Sequence, residues 1–331
     1  LLALGVAWFA FNNRWEIKRR ILIPIVLIVL SLAVALPPLA VDAYPETYRS
    51  TPVPFDVISI SNGAAIFAQN CVSCHGPQGK GNGIVAKTFN PPPADLLTEP
   101  HTARHTAGDF FHWLTYGIKN TGMPGFSGNL SEEDRWDVVN YMHGMSRGYQ
   151  GRLLNPKVMP EKPSLGPPIF PYFAHDGSSG VIKDFRQKNN VLLVLFSWPQ
   201  SQQRILELVE ANDHLKNLNT TVLAVPMNKL TKQELVEITR NIPFPVVTEG
   251  AQEIVDSYVL YRRTLTHPDI LGEGNNPDHL ELLIDRFGYL RARWIPAIDE
   301  LKWSDMSLLT QQLSQLNQED EILPPPKDHV H

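Results

Sequence analysis

The sequence predicts a multidomain chain: a transmembrane helix, then a small all-α domain, then an α/β domain. Three observations carry this. Residues 21–41 (ILIPIVLIVLSLAVALPPLAV) contain no charged side chain, and about 20 apolar residues are what a helix needs to cross a bilayer. A helical segment, residues 62–70, leads into C-V-S-C-H and a glycine-rich loop, and a second helical pattern covers residues 131–145. Beyond a proline-rich stretch, strand-like and helix-like runs alternate as far as residue 317, the pattern of helices layered on a sheet.

The chain has 331 residues, room for two domains at about 100–200 residues each. Hydrophobic residues make up 43%, enough to bury real cores. The formal net charge is −5, and the part beyond the membrane helix has no basic stripe, which argues against nucleic acid as a partner. The 2 cysteines, Cys71 and Cys74, both lie in C-V-S-C-H. No structural disulfide and no thiol catalysis can therefore be built elsewhere.

At the N-terminus, residues 1–20 read as the end of an upstream membrane helix followed by a basic loop with Arg14, Lys18, Arg19 and Arg20. The positive-inside rule puts that loop in the cytoplasm and everything after Asp42 on the far side. The expected location is the inner (cytoplasmic) membrane of a bacterium, with the soluble domains periplasmic. A cleaved signal peptide would have a shorter apolar region, about 7–15 residues. The remaining divisions are a connector (42–57), a compact segment (58–148), a linker (149–168) with Pro156, Pro160, Pro163, Pro167 and Pro168, an α/β segment (169–317) and an acidic, Pro-containing tail (318–331) expected to be disordered.

C-x-x-C-H is the attachment signature of c-type haem. Two thiols add to the two vinyl groups, the two-residue spacing sets both sulfurs along one edge of the macrocycle, and His75 follows as proximal ligand. A zinc site would want a second ligand pair, and a redox C-x-x-C would usually sit between a strand and a helix. The second axial ligand is expected to be Met123, in the turn T-G-M-P-G-F. His101, His105, His112, His143, Met142 and Met145 compete. Of these, Met142 and Met145 have the spacing of a helix core, and His112 that of a surface helix. Ser131, with Asp134 three positions on, is a plausible N-cap, and Gly63 and Phe67 are placed to meet the last helix near Tyr141.

With N-G-A-A-I-F-A-Q-N-C-V-S-C-H-G, T-G-M-P-G-F and S-E-E-D-R-W-D-V-V-N-Y-M in place, residues 58–148 resemble a class I cytochrome c. The resemblance implies His75/Met123 ligation, helices packed around one covalent haem c, and a proline carbonyl, from Pro92 or Pro93, orienting the proximal imidazole. D-A-Y-P-E-T-Y and P-H-T-A-R-H-T-A-G-D-F-F-H-W further resemble cytochrome modules fused behind a CopD-family copper-resistance membrane domain.

The later segment reads β–α–β–α–β–α–β–β–α. Residues 191–197 (VLLVLFS) suit a strand buried on both faces, and strands separated by helices imply parallel pairing. Residues 279–285 and 289–295 read as an antiparallel hairpin. Residues 169–317 resemble a thioredoxin-like fold of the redoxin type, whose active-site turn would be S-W-P-Q-S-Q-Q. The family's cysteines are absent, and no base is evident beside Ser201, so the turn reads as redox-inactive. His279 falls near the copper-binding histidine of Sco-type chaperones, but one imidazole without thiolates holds copper poorly. His329 and His331 in the tail are weak metal candidates.

The functional expectation is a membrane-anchored, mono-haem electron carrier, not itself an enzyme, that meets redox partner proteins while the thioredoxin-like domain serves for docking. The alternatives are a copper-handling protein whose haem supports the copper redox state, and a cytochrome subunit of a dehydrogenase or oxidase.

Overall fold

The computed structural model describes residues 8, 22–23, 25–33, 44–97, 105–159, 165–267 and 276–321. The chain divides into two units, Leu1–Pro45 and Glu46–His331. In the first, residues 25–33 are helical and mostly exposed. Among the described residues no helix is long and apolar enough to cross a membrane. The rest of the expected 21–41 helix, the basic loop, and His101, His329 and His331 lie outside the described residues.

Among the described residues the second unit begins with four α-helices: α1 (Val57–Asn70), α2 (Val72–His75), α3 (Ala107–Tyr116) and α4 (Glu132–Gln150). Each long helix starts at a side-chain cap. Asp56 accepts from the Ser59 amide at 2.9 Å, and Thr106 with Asp109 and Ser131 with Asp134 form reciprocal capping boxes, satisfying amides that have no intrahelical acceptor. Helices α1 and α4 cross at Gly63, where a Cβ would fall 2.1 Å from the Asp137 carbonyl oxygen. Phe67 and Tyr141 meet beside it at 5.4 Å between ring centroids. Asn140 and Asp137 of α4 hydrogen-bond Ser59 of α1 at 2.8 and 2.6 Å. Helix α3 closes the group by stacking Phe111 on Trp136 at 4.1 Å.

The α/β part contains β1 (Pro171–Ala174), β2 (Ser179–Val181), β3 (Asn190–Phe196), α5 (Gln202–Asn217), β4 (Thr220–Pro226), α6 (Lys232–Thr239), β5 (Val247–Glu249), α7 (Ala251–Tyr258), β6 (His279–Ile284), β7 (Leu290–Trp294) and α8 (Met306–Gln318). The main sheet has the order β4-β3-β6-β7. Strand β3 runs parallel to β4, and β6 antiparallel to both β3 and β7. That order and those directions make this a thioredoxin-like α/β domain. Strands β3, β6 and β7 are buried along their whole length; the apolar run of β3 requires this, whereas β6 and β7 also bury His279, Glu281, Arg291 and Arg293.

Uniform parallel pairing does not hold. Among the described strands β3 and β4 alone pair that way, because β6 is the first arm of a hairpin and lies antiparallel on β3. The I-P-F-P segment makes a single parallel bridge, Ala224–Val246. Pro243 and Pro245 have no amide to give to a ladder, so the chain leaves the main sheet and β5 joins β1 in a three-stranded sheet, β2-β1-β5. The β1–β2 hairpin was not foreseen; its sequence signal is Asp176-Gly177, with Gly177 at φ 81°.

The proline-rich stretch differs from a free linker. Helix α4 continues to Gln150, and the chain beyond it is held along the α/β part. The Pro156 carbonyl accepts from Trp303 Nε1 at 2.8 Å, the Val158 amide donates to Gln312 at 2.8 Å, and the Pro168 carbonyl accepts from the Tyr258 hydroxyl at 2.7 Å. The Val57 amide then donates to the Ile169 carbonyl at 3.0 Å, returning the segment to the start of α1. One hydrophobic cluster runs from Ile60, Phe67, Val139 and Met145 of the helices to Phe170, Val255, Tyr258 and Leu282 of the α/β part.

Candidate functional site

Cys71 closes α1, its amide donating to the Phe67 carbonyl at 2.9 Å, and α2 begins at the next residue. The Cys74 and His75 amides both return to the Cys71 carbonyl, at 3.2 and 2.8 Å. Residues three and four apart on a helical turn share a face, so this turn sets two sulfurs and an imidazole together. The two cysteines are not joined in a disulfide. Burial, with Cys74 beside it, pushes the Cys71 thiol up to about 12, the opposite of a thiolate-forming redox pair.

The loop after His75 folds back on the turn. The Gly81 amide donates to the His75 carbonyl at 2.8 Å, and the Gly83 amide to the Cys74 carbonyl at 3.0 Å. His75 Nδ1 lies 3.1 Å from the Ala94 carbonyl oxygen. The orienting carbonyl is thus Ala94, not Pro92 or Pro93. The reason is Gly81, at φ 73°: a Cβ there would fall 2.2 Å from the Pro93 carbonyl oxygen, so that oxygen is pressed onto Gly81 and the next one meets the imidazole. Burial lowers the His75 pKa, against the effect of its hydrogen bond to the Ala94 carbonyl, favouring the neutral ring that ligates a metal. With Nδ1 held by a carbonyl, Nε2 is the nitrogen available to iron.

Met123 lies in a turn held by the Ile118 amide on its carbonyl (3.2 Å) and by its own amide on Thr121 Oγ1 (3.1 Å). It is half-buried and packs on the large hydrophobic cluster to which Cys71 belongs. Among the competing donors, Met145 packs against Gly79 in the loop after His75. Met142 and Met145 are buried in α4. His105 meets the edge of Trp113 at 4.6 Å, His143 that of Phe110 at 5.8 Å, and His112 lies 5.0 Å from Tyr116. Two thiols on one helical turn and an imidazole held through Nδ1 form a set that fits covalent attachment of haem c.

The α/β domain holds a group of side chains that the sequence did not reveal. His279 Nδ1 lies 3.0 Å from Ser201 Oγ, and its Nε2 2.9 Å from Glu281 Oε1. A base therefore does stand beside Ser201. The available signal was the alternation His279–Leu280–Glu281, which puts both polar residues on one face of β6. With both ring nitrogens engaged, His279 has no nitrogen free to ligate copper. Among the described residues no group of three or more His, Cys, Asp or Glu side chains forms a candidate metal site.

The family model of cytochrome c matches residues 60–146. Cytochrome c6 of Petalonia fascia is 32% identical over 94 residues, which cover 96% of that protein and 27% of this chain. The thiosulfate dehydrogenase of Stutzerimonas stutzeri is 32% identical over 138 residues, 41% of this chain. The chain spans only 39% of that enzyme's length. In structure, a thioredoxin-type protein from Neisseria meningitidis aligns over 49% of this chain and 95% of its own, with a TM-score of 0.36 and 14% identity. By the match across nearly all of a cytochrome c6 and the haem-attachment turn just described, the chain belongs to the cytochrome c family and carries a covalently bound haem c.

Proposed function

We propose that this is a membrane-anchored, periplasmic mono-haem cytochrome that shuttles electrons between redox proteins, with His75 and Met123 as axial ligands. The observation that carries the reading is the turn Cys71–His75, with Nδ1 of His75 held 3.1 Å from the Ala94 carbonyl. Haem c, once attached, supplies reversible one-electron exchange. The protein's part is to hold the proximal imidazole in one orientation and to present a thioether from the Met123 turn. A thioether favours the ferrous state and raises the potential relative to a second imidazole. Two protein ligands leave no open position for a substrate, so electrons pass without bond making at the metal. The uncharged run 21–41 supports the membrane anchor.

Carbon monoxide titration of the reduced protein at neutral pH tests the ligation. The wild type is expected to resist binding, whereas Met123→Ala binds readily and has a lower midpoint potential. Ready binding by the wild type would defeat the closed, six-coordinate reading.

The likeness to a thiosulfate dehydrogenase favours a second reading, in which the haem is one centre of an oxidoreductase complex. Affinity purification from solubilised membranes, followed by reduction of the bound haem with candidate donors, distinguishes a complex subunit from a free shuttle.

A further inference from the structure

The turn at which the α/β domain would carry reactive thiols instead carries a hydroxyl, an imidazole and a carboxylate in hydrogen-bonded sequence. Ser201 precedes α5 and is 4% exposed. Its hydroxyl donates to the Asp278 carbonyl oxygen at 3.0 Å, and its Oγ lies 3.0 Å from His279 Nδ1. His279 Nε2 is 2.9 Å from Glu281 Oε1, and Glu281 receives Nε and Nη2 of Arg204 at 2.6 and 3.0 Å. The register explains the meeting. His279 pairs with Phe196, the last residue of β3, so β6 sets the imidazole beside the turn that β3 feeds. Trp294 walls the group, with Arg204 Cζ 4.9 Å above its ring.

We propose that Ser201 is a nucleophile for acyl transfer from a small ester or thioester, with His279 as its base and Glu281 orienting the imidazole. A nucleophile, a base in hydrogen-bond reach and a third group behind the base are the parts such chemistry requires. Glu281 stays a carboxylate: Arg204 and His279 outweigh its burial and hold it down to about 2. As an acceptor it takes the Nε2 proton and leaves Nδ1 with a lone pair, to which the Ser201 proton turns from the Asp278 carbonyl for the attack. The Ser201 side chain does not cap α5; the Gln202 amide donates to the Pro199 carbonyl at 3.0 Å, so an oxyanion would fall to the remaining first-turn amides, those of Gln203 and Arg204, which have no intrahelical acceptor. Gln200, Gln202 and Gln203 around it are exposed, and the burial of Ser201 restricts the acyl group to a small one.

The step balances without electrons and does not involve the haem. Ser201 Oγ attacks the carbonyl carbon while its proton passes to His279 Nδ1. The tetrahedral adduct collapses, breaking the bond to the alkoxide or thiolate, which leaves with that proton as an alcohol or thiol. Water, deprotonated by the same nitrogen, then cleaves the acyl–Ser201 ester and releases the carboxylic acid.

The test uses the full haem-loaded chain in detergent, incubated with p-nitrophenyl acetate and, separately, with a fluorophosphonate probe. The expected result is a burst of one nitrophenolate per chain and an adduct that mass spectrometry places on Ser201. Ser201→Ala abolishes both, with unchanged haem absorption and far-UV circular dichroism. His279→Gln slows acylation by roughly 10²–10⁴-fold, and Glu281→Gln serves as the second variant should His279→Gln not fold. No adduct on wild-type Ser201 at excess reagent overturns the proposal whatever the variants do. So does adduct formation at the wild-type rate in a folded His279→Gln, which is what a purely structural network would permit.

Discussion

At the scale of single residues, the haem site was legible where covalent chemistry dictates spacing and illegible where a loop decides which atom arrives. Cys71, Cys74 and His75 follow from a five-residue motif because one helical turn is enough to put them on one face. The carbonyl behind His75 does not, since it depends on how tightly the chain closes over Gly81. Gly63 is the reverse case: its contact with α4 near Tyr141 was readable from the helix pattern, and the structure confirms it. Gly63→Ala must push α1 away from the Asp137 backbone. We expect it to destabilise the protein by about 1–3 kcal/mol, the usual cost of overpacking, seen as a lower midpoint in guanidinium unfolding. An unchanged midpoint would mean the helices can separate freely at that crossing.

At the scale of elements, caps and buried strands were visible in the sequence because they are local. The capping boxes at Ser131 and Thr231 form as their spacing requires. Strand direction was not visible, because antiparallel placement of β6 on β3 is chosen by the path of the chain between α7 and β6. That placement also assembles Arg204, Glu281 and His279 from α5 and β6, and it carries a pH prediction. The Glu281 carboxyl falls from 4.5 to about 2 on folding. A depressed carboxylate contributes stability that is present above the unfolded value and lost as pH falls through the folded one. Its contribution should therefore fade from about pH 5 down to about pH 2, by on the order of 3 kcal/mol. Glu281→Gln is less stable at neutral pH, because buried Arg204 loses its closer carboxylate and keeps only Glu207, but loses less stability than wild type across that range. Equal acid slopes for the two proteins in urea unfolding would contradict this.

At the scale of the whole molecule, the helical and α/β parts of Glu46–His331 are one body. Arg293 of β7 joins them. It is 1% exposed, and its guanidinium donates to the Gly151 and Tyr261 carbonyls at 3.3 and 3.1 Å, to Leu154 at 2.7 Å, and to Arg263. Arg263 in turn donates to the Met145 carbonyl of α4 at 3.2 Å. Unfolding followed by haem absorption and by tryptophan fluorescence should therefore give coincident curves. Arg293→Lys, which lacks the planar fork, should lower both midpoints together, by about 1.5–3 kcal/mol for the lost charged hydrogen bonds. Two separate transitions in the wild type would show that the domains behave independently.

The sequence by itself determined the haem, the nature of both domains and the absence of a dithiol from the α/β domain, because motifs, hydrophobic periods and cysteine counts are properties of short stretches. Tertiary structure alone decided the orienting carbonyl, the antiparallel β6, the Ser201–His279–Glu281 group and the fusion of the two domains along the proline-rich segment. Each of these joins residues far apart in the chain, and only the closed fold sets the distances between them.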